Sequence, residues 1–249
     1  MVRRLARKLL PKWAVSTLRA RGQGVRFLFR GSEHLGLRAR LTVLARFEDV
    51  CNGVRCEHGE PEMFRVVNAL VDLDRRGIAG DIVECGCFRG GSSCKLSIIA
   101  KYLGRTLYVF DSFAGLPDTV VYKNAEGQVP FNVGDYAADL PTYMKTLSQL
   151  GESSATSVSK GWFCDTLPGF SGRGIALLLM DVDLVSSTQD CLKNLWESVV
   201  PGGYLFSQDG HLQEVQGLLT DDEFWKKQIG VEPPMFAGLG QEKMVFARK

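Results

Sequence analysis

Two short phrases, Asp181-Val-Asp183 and Gln208-Asp209, each follow an apolar run: Ile175 to Met180 and Gly203 to Ser207. If those runs are neighbouring strands, their ends bring carboxylates and an amide oxygen together. That is a hard-oxygen set suited to a six-coordinate ion such as Mg²⁺, held here by Asp181, Gln208 and Asp209. The chemistry that needs such equipment is chemistry on a hydroxyl. An alcohol is a weak nucleophile, so a metal that acidifies it or a carboxylate that takes its proton is required. The alternative, that Asp181 and Asp183 are ordinary solvated strand-end acids, stays open at this level. His211, just beyond Asp209, is a second candidate for the catalytic base, although a lone histidine in such a loop is more often a surface residue.

A second group lies earlier. Asp81-Ile-Val-Glu-Cys reads as a buried strand that ends in Glu84-Cys-Gly86 and continues through Arg89 to Gly90-Gly91. Gly86 permits a tight turn, and Gly90 and Gly91 let backbone N–H groups approach a ligand at a helix N-terminus. No Gly-Lys-Ser/Thr follows, which excludes a phosphate-binding Walker loop, and G-x-G-x-x-G is absent. Asp111 ends the next strand, about 25 residues after Gly86, where a carboxylate can accept hydrogen bonds from both ribose hydroxyls of a nucleoside. A nucleoside without a pyrophosphate grip points to S-adenosylmethionine rather than to NAD. No G-x-S-x-G elbow supports a hydrolase.

These residues need a sheet to hold them. Strands are expected at Asp81–Cys85, Thr106–Phe110, Ser157–Phe163, Gly174–Met180, Gly203–Ser207, Val231–Phe236 and Lys243–Ala247, the last two as a closing antiparallel pair. Helices between them include one from Ser93 to Tyr102 with Ser92 as its N-cap, one over 141–150, one over 187–200 and one over 213–228. Alternation of this kind implies a mostly parallel, seven-stranded α/β sheet with helices on both faces, preceded by N-terminal helices. Helical patterns also run from about Glu33 to Cys51 and from Pro61 to Arg76. The stretch from Ser112 to Pro141 shows little periodicity and is read as a lid or binding loop.

The chain has 249 residues, 45% hydrophobic and 23% charged, which excludes a disordered or collagen-like protein. No apolar run approaches the ~20 residues of a membrane span. The net charge is only +2, so no nucleic-acid partner is expected, but residues 1–30 carry nine Lys or Arg and no acid. That stretch could form an amphipathic helix interrupted by Pro11, touching an anionic membrane surface weakly or a second subunit. Seven cysteines without a C-x-x-C pair indicate reduced thiols and a cytoplasmic location.

The phrases Asp81-Ile-Val-Glu-Cys-Gly-Cys-Phe-Arg-Gly-Gly-Ser92, Val109-Phe-Asp-Ser-Phe-Ala-Gly-Leu-Pro-Asp118, Lys160-Gly-Trp-Phe-Cys-Asp-Thr-Leu-Pro168, Met180-Asp-Val-Asp-Leu-Val-Ser-Ser-Thr188 and Pro201-Gly-Gly-Tyr resemble the macrocin O-methyltransferase family. The resemblance covers roughly residues 60–249. It implies a class I, Rossmann-like methyltransferase domain over 61–249, with 1–60 as a basic arm and helices. It further implies that the cofactor sits over Glu84, Gly86, Arg89, Gly91, Ser92, Asp111 and Ser112, with Gly161 and Trp162 beside the adenine and Asp181 close by. In the family pattern the acid matching Asp181 binds Mg²⁺, the one matching Asp183 is the general base, and two adjacent acids complete the metal site. Here that last pair reads Gln208-Asp209, so one carboxylate is replaced by an uncharged ligand. The expected activity is O-methylation of a hydroxyl of a sugar or glycosylated natural product by a homo-oligomer. A catalytically silent or regulatory module on the same fold is the alternative.

Overall fold

The computed structural model describes residues 10–170 and 174–249. It divides into two compact units. The first comprises the chain up to Ile78, Arg89–Leu107 and Pro141–Ser157; the second comprises Ala79–Phe88, Tyr108–Leu140 and Val158–Lys249. No helix among the described residues is long and apolar enough to cross a membrane.

The first unit is helical. α1 (Lys12–Arg19) starts at Pro11, whose extended backbone makes it the residue before the helix rather than a break inside one. α2 (Arg21–Phe29) follows after Ala20 alone, and the chain turns at its first residue, the left-handed Arg21 (φ 52°). The expected amphipathic helix over 1–30 is therefore two short helices, and its first nine residues lie outside those described. α3 (Leu37–Gly53) and α4 (Glu60–Arg75) bury Phe47 and Phe64, and the Phe64 ring packs against Phe47 at 5.3 Å and against Phe27 of α2 at 5.5 Å. α4 opens with Pro61 in its first turn and with Glu62 accepting the Gly59 N–H at 2.8 Å, both devices that satisfy a helix start. α5 (Gly91–Tyr102) is buried along most of its length, and α6 is Leu140–Leu150. Ser92 is not the cap of α5. Gly90, left-handed at φ 84°, holds that position, and a Cβ there would come within 2.9 Å of the Tyr143 ring.

The second unit carries most of the sheet, formed by β1 (Asp81–Cys85), β2 (Leu107–Asp111), β5 (Thr156–Lys160), β6 (Ile175–Met180), β7 (Val199–Ser207) and β8 (Val245–Arg248) in the order β5-β2-β1-β6-β7-β8. β6 is buried at all six positions and pairs in parallel with β1 on one side and β7 on the other. β7 pairs antiparallel with β8. Leu178, Leu205 and Val83 anchor the core, with Trp196 edge-on to Trp225 at 5.1 Å. The short helices α7 (Phe163–Thr166), α8 (Val185–Leu195), α9 (Gln213–Leu219) and α10 (Asp222–Phe224) complete the unit.

Three further expectations change. Among the described residues the sheet has six strands rather than seven, because Val231–Phe236 is not a strand. Pro233 and Pro234 cannot donate to a ladder, and only Ala237 bridges Phe246 beyond them. The stretch 112–141 is not without regular structure: β3 (Val120–Asn124) and β4 (Gly127–Phe131) form an antiparallel hairpin, whose turn is held by Asn124 Oδ1 accepting from Glu126 and Gly127. The helix expected over 213–228 is broken after Leu219, and a wide π-turn spans Trp225–Ile229.

Candidate active site

The sheet order reverses direction at β1: the chain moves from β1 out to β2, then returns across it to β6. In open α/β sheets the crevice at such a reversal, beyond the carboxyl ends of the strands, is where ligands bind. Gly86 follows β1 and Asp181 follows β6, both at this point. Gly86 is left-handed at φ 82°, and a Cβ on it would lie 2.0 Å from the Asp181 carbonyl oxygen, so only glycine lets the two strand ends approach.

The acids beyond β6 and β7 gather. One carboxylate oxygen from each of Asp181, Asp183 and Asp209 lies within 4.8 Å of the others. Asp209, 1% exposed, ties the group together: its Oδ2 accepts the backbone N–H groups of Val182 and Asp183, each at 3.1 Å. Its Oδ1 is buried with no hydrogen-bond donor among the described residues. Asp183 adopts a left-handed backbone (φ 58°), uncommon for a residue with a Cβ and a frequent mark of functional sites. Burial pushes the Asp183 carboxyl up to about 7, with help from Asp181 and Asp135 and against the nearby Lys243. Burial, Asp183 and Asp181 push Asp209 well up too. An orphaned carboxylate oxygen inside a group of three acids fits a divalent cation, which would relieve the repulsion and supply the missing partner. Gln208 is equally buried beside Asp209. His211 lies half-buried in the same loop and is not one of the three mutually close groups.

At the ends of β1 and β2, Glu84 is fully buried at the close of β1. Asp111 does more than end a strand. Its Oδ2 accepts from Cys87 N at 2.7 Å and Phe88 N at 3.3 Å, and its Oδ1 from Phe113 N at 2.7 Å. The carboxylate thus clamps the turn after Gly86 onto the end of β2. Ser112 caps the next turn, donating to Gly115 O and accepting from Ala114 N, both at 3.0 Å. Gly161 N donates to Asp111 O at 3.0 Å, and Trp162, 38% exposed, is the cap residue before α7. Glu84, Gly86, Asp111, Ser112, Gly161, Trp162 and Asp181 all belong to the second unit; Arg89, Gly91 and Ser92 belong to the first, where Ser92 is buried and Arg89 exposed. Lys243 and Asp135, which tune Asp183, carried no signal in the sequence: their loops lie 60 and 48 residues away and in no motif.

A model of the macrocin O-methyltransferase (TylF) family matches residues 53–238. The chain belongs to that family. Among curated relatives, 8-demethyl-8-(2,3-dimethoxy-alpha-L-rhamnosyl)-tetracenomycin-C 4'-O-methyltransferase of Streptomyces olivaceus is 30% identical over 64% of this chain and 62% of its own. Mycinamicin III 3''-O-methyltransferase of Micromonospora griseorubida is 32% identical over 54% of this chain and 57% of its own. The chain therefore spans about 60% of the length of the curated relatives it matches. The solved structure of the O-methyltransferase NovP superposes with a TM-score of 0.66 and 22% identity over 95% of this chain and 97% of that one, which establishes the class I methyltransferase fold.

The raised Asp183 carboxyl has a consequence for stability. Its ordinary value is 3.8 and its folded value about 7, so between these pH values the folded chain keeps a proton that the unfolded chain has released. Stability from this group therefore falls as pH rises from about 4 to about 7 and is level above, a change on the order of a few kcal/mol. Calorimetric melting without divalent cations should show this fall in the wild type. Asp183→Asn should flatten it and melt higher than wild type at pH 7.5; superimposable pH curves would refute the assignment.

Proposed function

We propose that the protein is an S-adenosylmethionine-dependent O-methyltransferase acting on a hydroxyl of a sugar or glycosylated natural product, in the cytoplasm. The observation that carries this reading is the buried carboxylate group at the sheet's reversal point. It is supported by family membership and by the names of the relatives, which specify 4'-O and 3''-O methyl transfer. S-adenosylmethionine, when bound, supplies a methyl group on a sulfonium cation, so transfer to oxygen demands alignment and proton removal more than activation. Asp111 and Gly86 shape the turn that would receive the nucleoside, Trp162 offers an aromatic face for the adenine, and Glu84, Ser112, Gly161 and Asp181 line the same strand ends. Arg89, Gly91 and Ser92 are proposed as further cofactor residues.

Asp181, Gln208 and Asp209 would hold Mg²⁺, which would polarise the acceptor hydroxyl. Asp183 is the proposed base. A carboxyl poised near neutrality is matched to taking a proton at physiological pH, and its left-handed backbone is held by Asp209. His211 is the alternative base. The deciding experiment uses labelled S-adenosylmethionine with deoxysugar glycosides as acceptors. Transfer of label is expected, with Asp183→Asn about 10²–10⁴-fold slower at unchanged S-adenosylhomocysteine affinity, and with Trp162→Ala weakening that affinity. Cofactor binding without transfer to any acceptor would favour the silent-module reading, and near-normal turnover by Asp183→Asn would move the base to His211.

For partners we propose a homo-oligomer and weak peripheral contact with anionic lipid, using the outward face of α2. Val25 is 47% and Phe29 78% exposed there, flanked by Arg21, Arg26 and Arg30. Aromatic and basic residues on one helical face suit a lipid headgroup boundary. Flotation with phosphatidylserine vesicles should capture the full chain at low salt and lose it at high salt, with Phe29→Ser and Arg26→Glu abolishing capture. Vesicle binding that survives both substitutions, or none at low salt, would contradict the lipid reading; a fall in oligomer mass for the same variants would assign the face to a second copy.

A further inference from the structure

The first unit contains a second chemical cluster, remote in sequence from the acids described above. Lys95 of α5 is 1% exposed and forms an ion pair with Glu60 at the start of α4. Cys51, in the last turn of α3, donates its thiol to Glu60 Oε1 at 3.1 Å. Cys56 follows in the α3–α4 connection, and its sulfur packs against the first residue of α5: a Cβ on Gly91 would lie 2.6 Å from it. Both cysteines are half-buried, whereas Cys85, Cys87, Cys94 and Cys191 are buried.

Two thiols, one carboxylate and one buried ammonium form a compact polar island in a helical core. Structural cysteines pack as small apolar groups; reactive ones sit beside a cation with partial access to solvent. The Cys51 thiol donates to the Glu60 carboxylate, which holds it protonated, whereas the Cys56 thiol donates only to the Val54 carbonyl, at 3.7 Å. We propose that Cys56 and Cys51 are a peroxide-reactive pair, with Cys56 the attacking sulfur and Cys51 the resolving one.

The Cys56 thiolate attacks one oxygen of hydrogen peroxide, the O–O bond breaks, and hydroxide leaves to take up a proton as water, giving the sulfenic acid. Cys51 then attacks the Cys56 sulfur, its proton departs with the hydroxyl as a second water, and the S–S bond forms. Two thiols lose two electrons in total and the peroxide gains them. The surrounding charges support the order of attack. The hydrogen bond from Cys51 and the Lys95 cation pull the Cys56 thiol down to about 7, against burial, Glu60 and Glu57. Burial disfavours the Lys95 charge, but Glu60 and the two sulfurs outweigh it and keep the ammonium protonated. Since the Cys56 sulfur fills the space above Gly91, forming the bond changes the packing at the first residue of α5.

The test is alkylation of the full-length protein with iodoacetamide, read cysteine by cysteine by mass spectrometry, with the exposed Cys164 as internal reference. Near pH 7, Cys56 should react about tenfold faster than Cys164, with a pH profile that turns over near 7. One equivalent of peroxide should yield the Cys51–Cys56 disulfide, and Cys51→Ser should leave a sulfenic acid on Cys56 that dimedone traps. Lys95→Met should shift the profile upward; if that variant fails to fold, the wild-type profile and the peroxide product decide the matter alone. A Cys56 profile turning over above 8.5, or peroxide oxidation confined to Cys164, would overturn the proposal.

Discussion

The structure depends on keeping three carboxylates together at the end of a buried parallel strand. β6 is apolar at every position, and at its end the chain places Asp181 and Asp183 against Asp209 from β7. Like charges this close, two of them desolvated, repel strongly unless a proton or a cation intervenes. The backbone supplies part of the compensation. Asp209 Oδ2 accepts from the two N–H groups of the β6–α8 loop, and this fixes Asp183 in a left-handed conformation that it would otherwise avoid. Gly86 then becomes obligatory, because the carbonyl of Asp181 occupies the space where a side chain would go.

Asp111 plays a parallel role at the end of β2. Its carboxylate receives three backbone N–H groups and so fixes the turn after β1 in place. A carboxylate offers about four lone-pair sites. Three are already engaged by the backbone, so the residue proposed to meet the nucleoside also builds the turn beside it. Both acids show the same economy: a side chain suited to a ligand also organises the loop that surrounds that ligand.

Much of this was legible in the sequence because strand ends announce themselves. The apolar runs Ile175–Met180 and Ile82–Val83 end abruptly in acids or glycine, and the parallel pairing of β1, β6 and β7 follows from the helices between them. What escaped was whatever depends on three-dimensional neighbours or on short-range competition. Pro233 and Pro234 should have removed 231–236 from the sheet. Val120-Val-Tyr122, a β-branched and aromatic run before the turn residue Asn124, was the available sign of the hairpin. Ser92 has the right chemistry for a helix cap, but the chain needed positive φ at that place, and Gly90 meets it without strain. Lys243 and Asp135 reach Asp183 from distant loops, so no local pattern could reveal them.

The proposed function makes the three-acid group a proton-loaded site for a divalent cation. Calorimetric titration with Mg²⁺ at pH 6.5, repeated in buffers of different ionisation enthalpy, measures the protons released on binding. With Asp183 poised near 7 and Asp209 held well up, Mg²⁺ should displace at least about half a proton, and more at pH 5.5 than at pH 8. Asp209→Asn should weaken binding and reduce that release. Binding without proton release at any of these pH values, or no binding at millimolar Mg²⁺, would contradict the account.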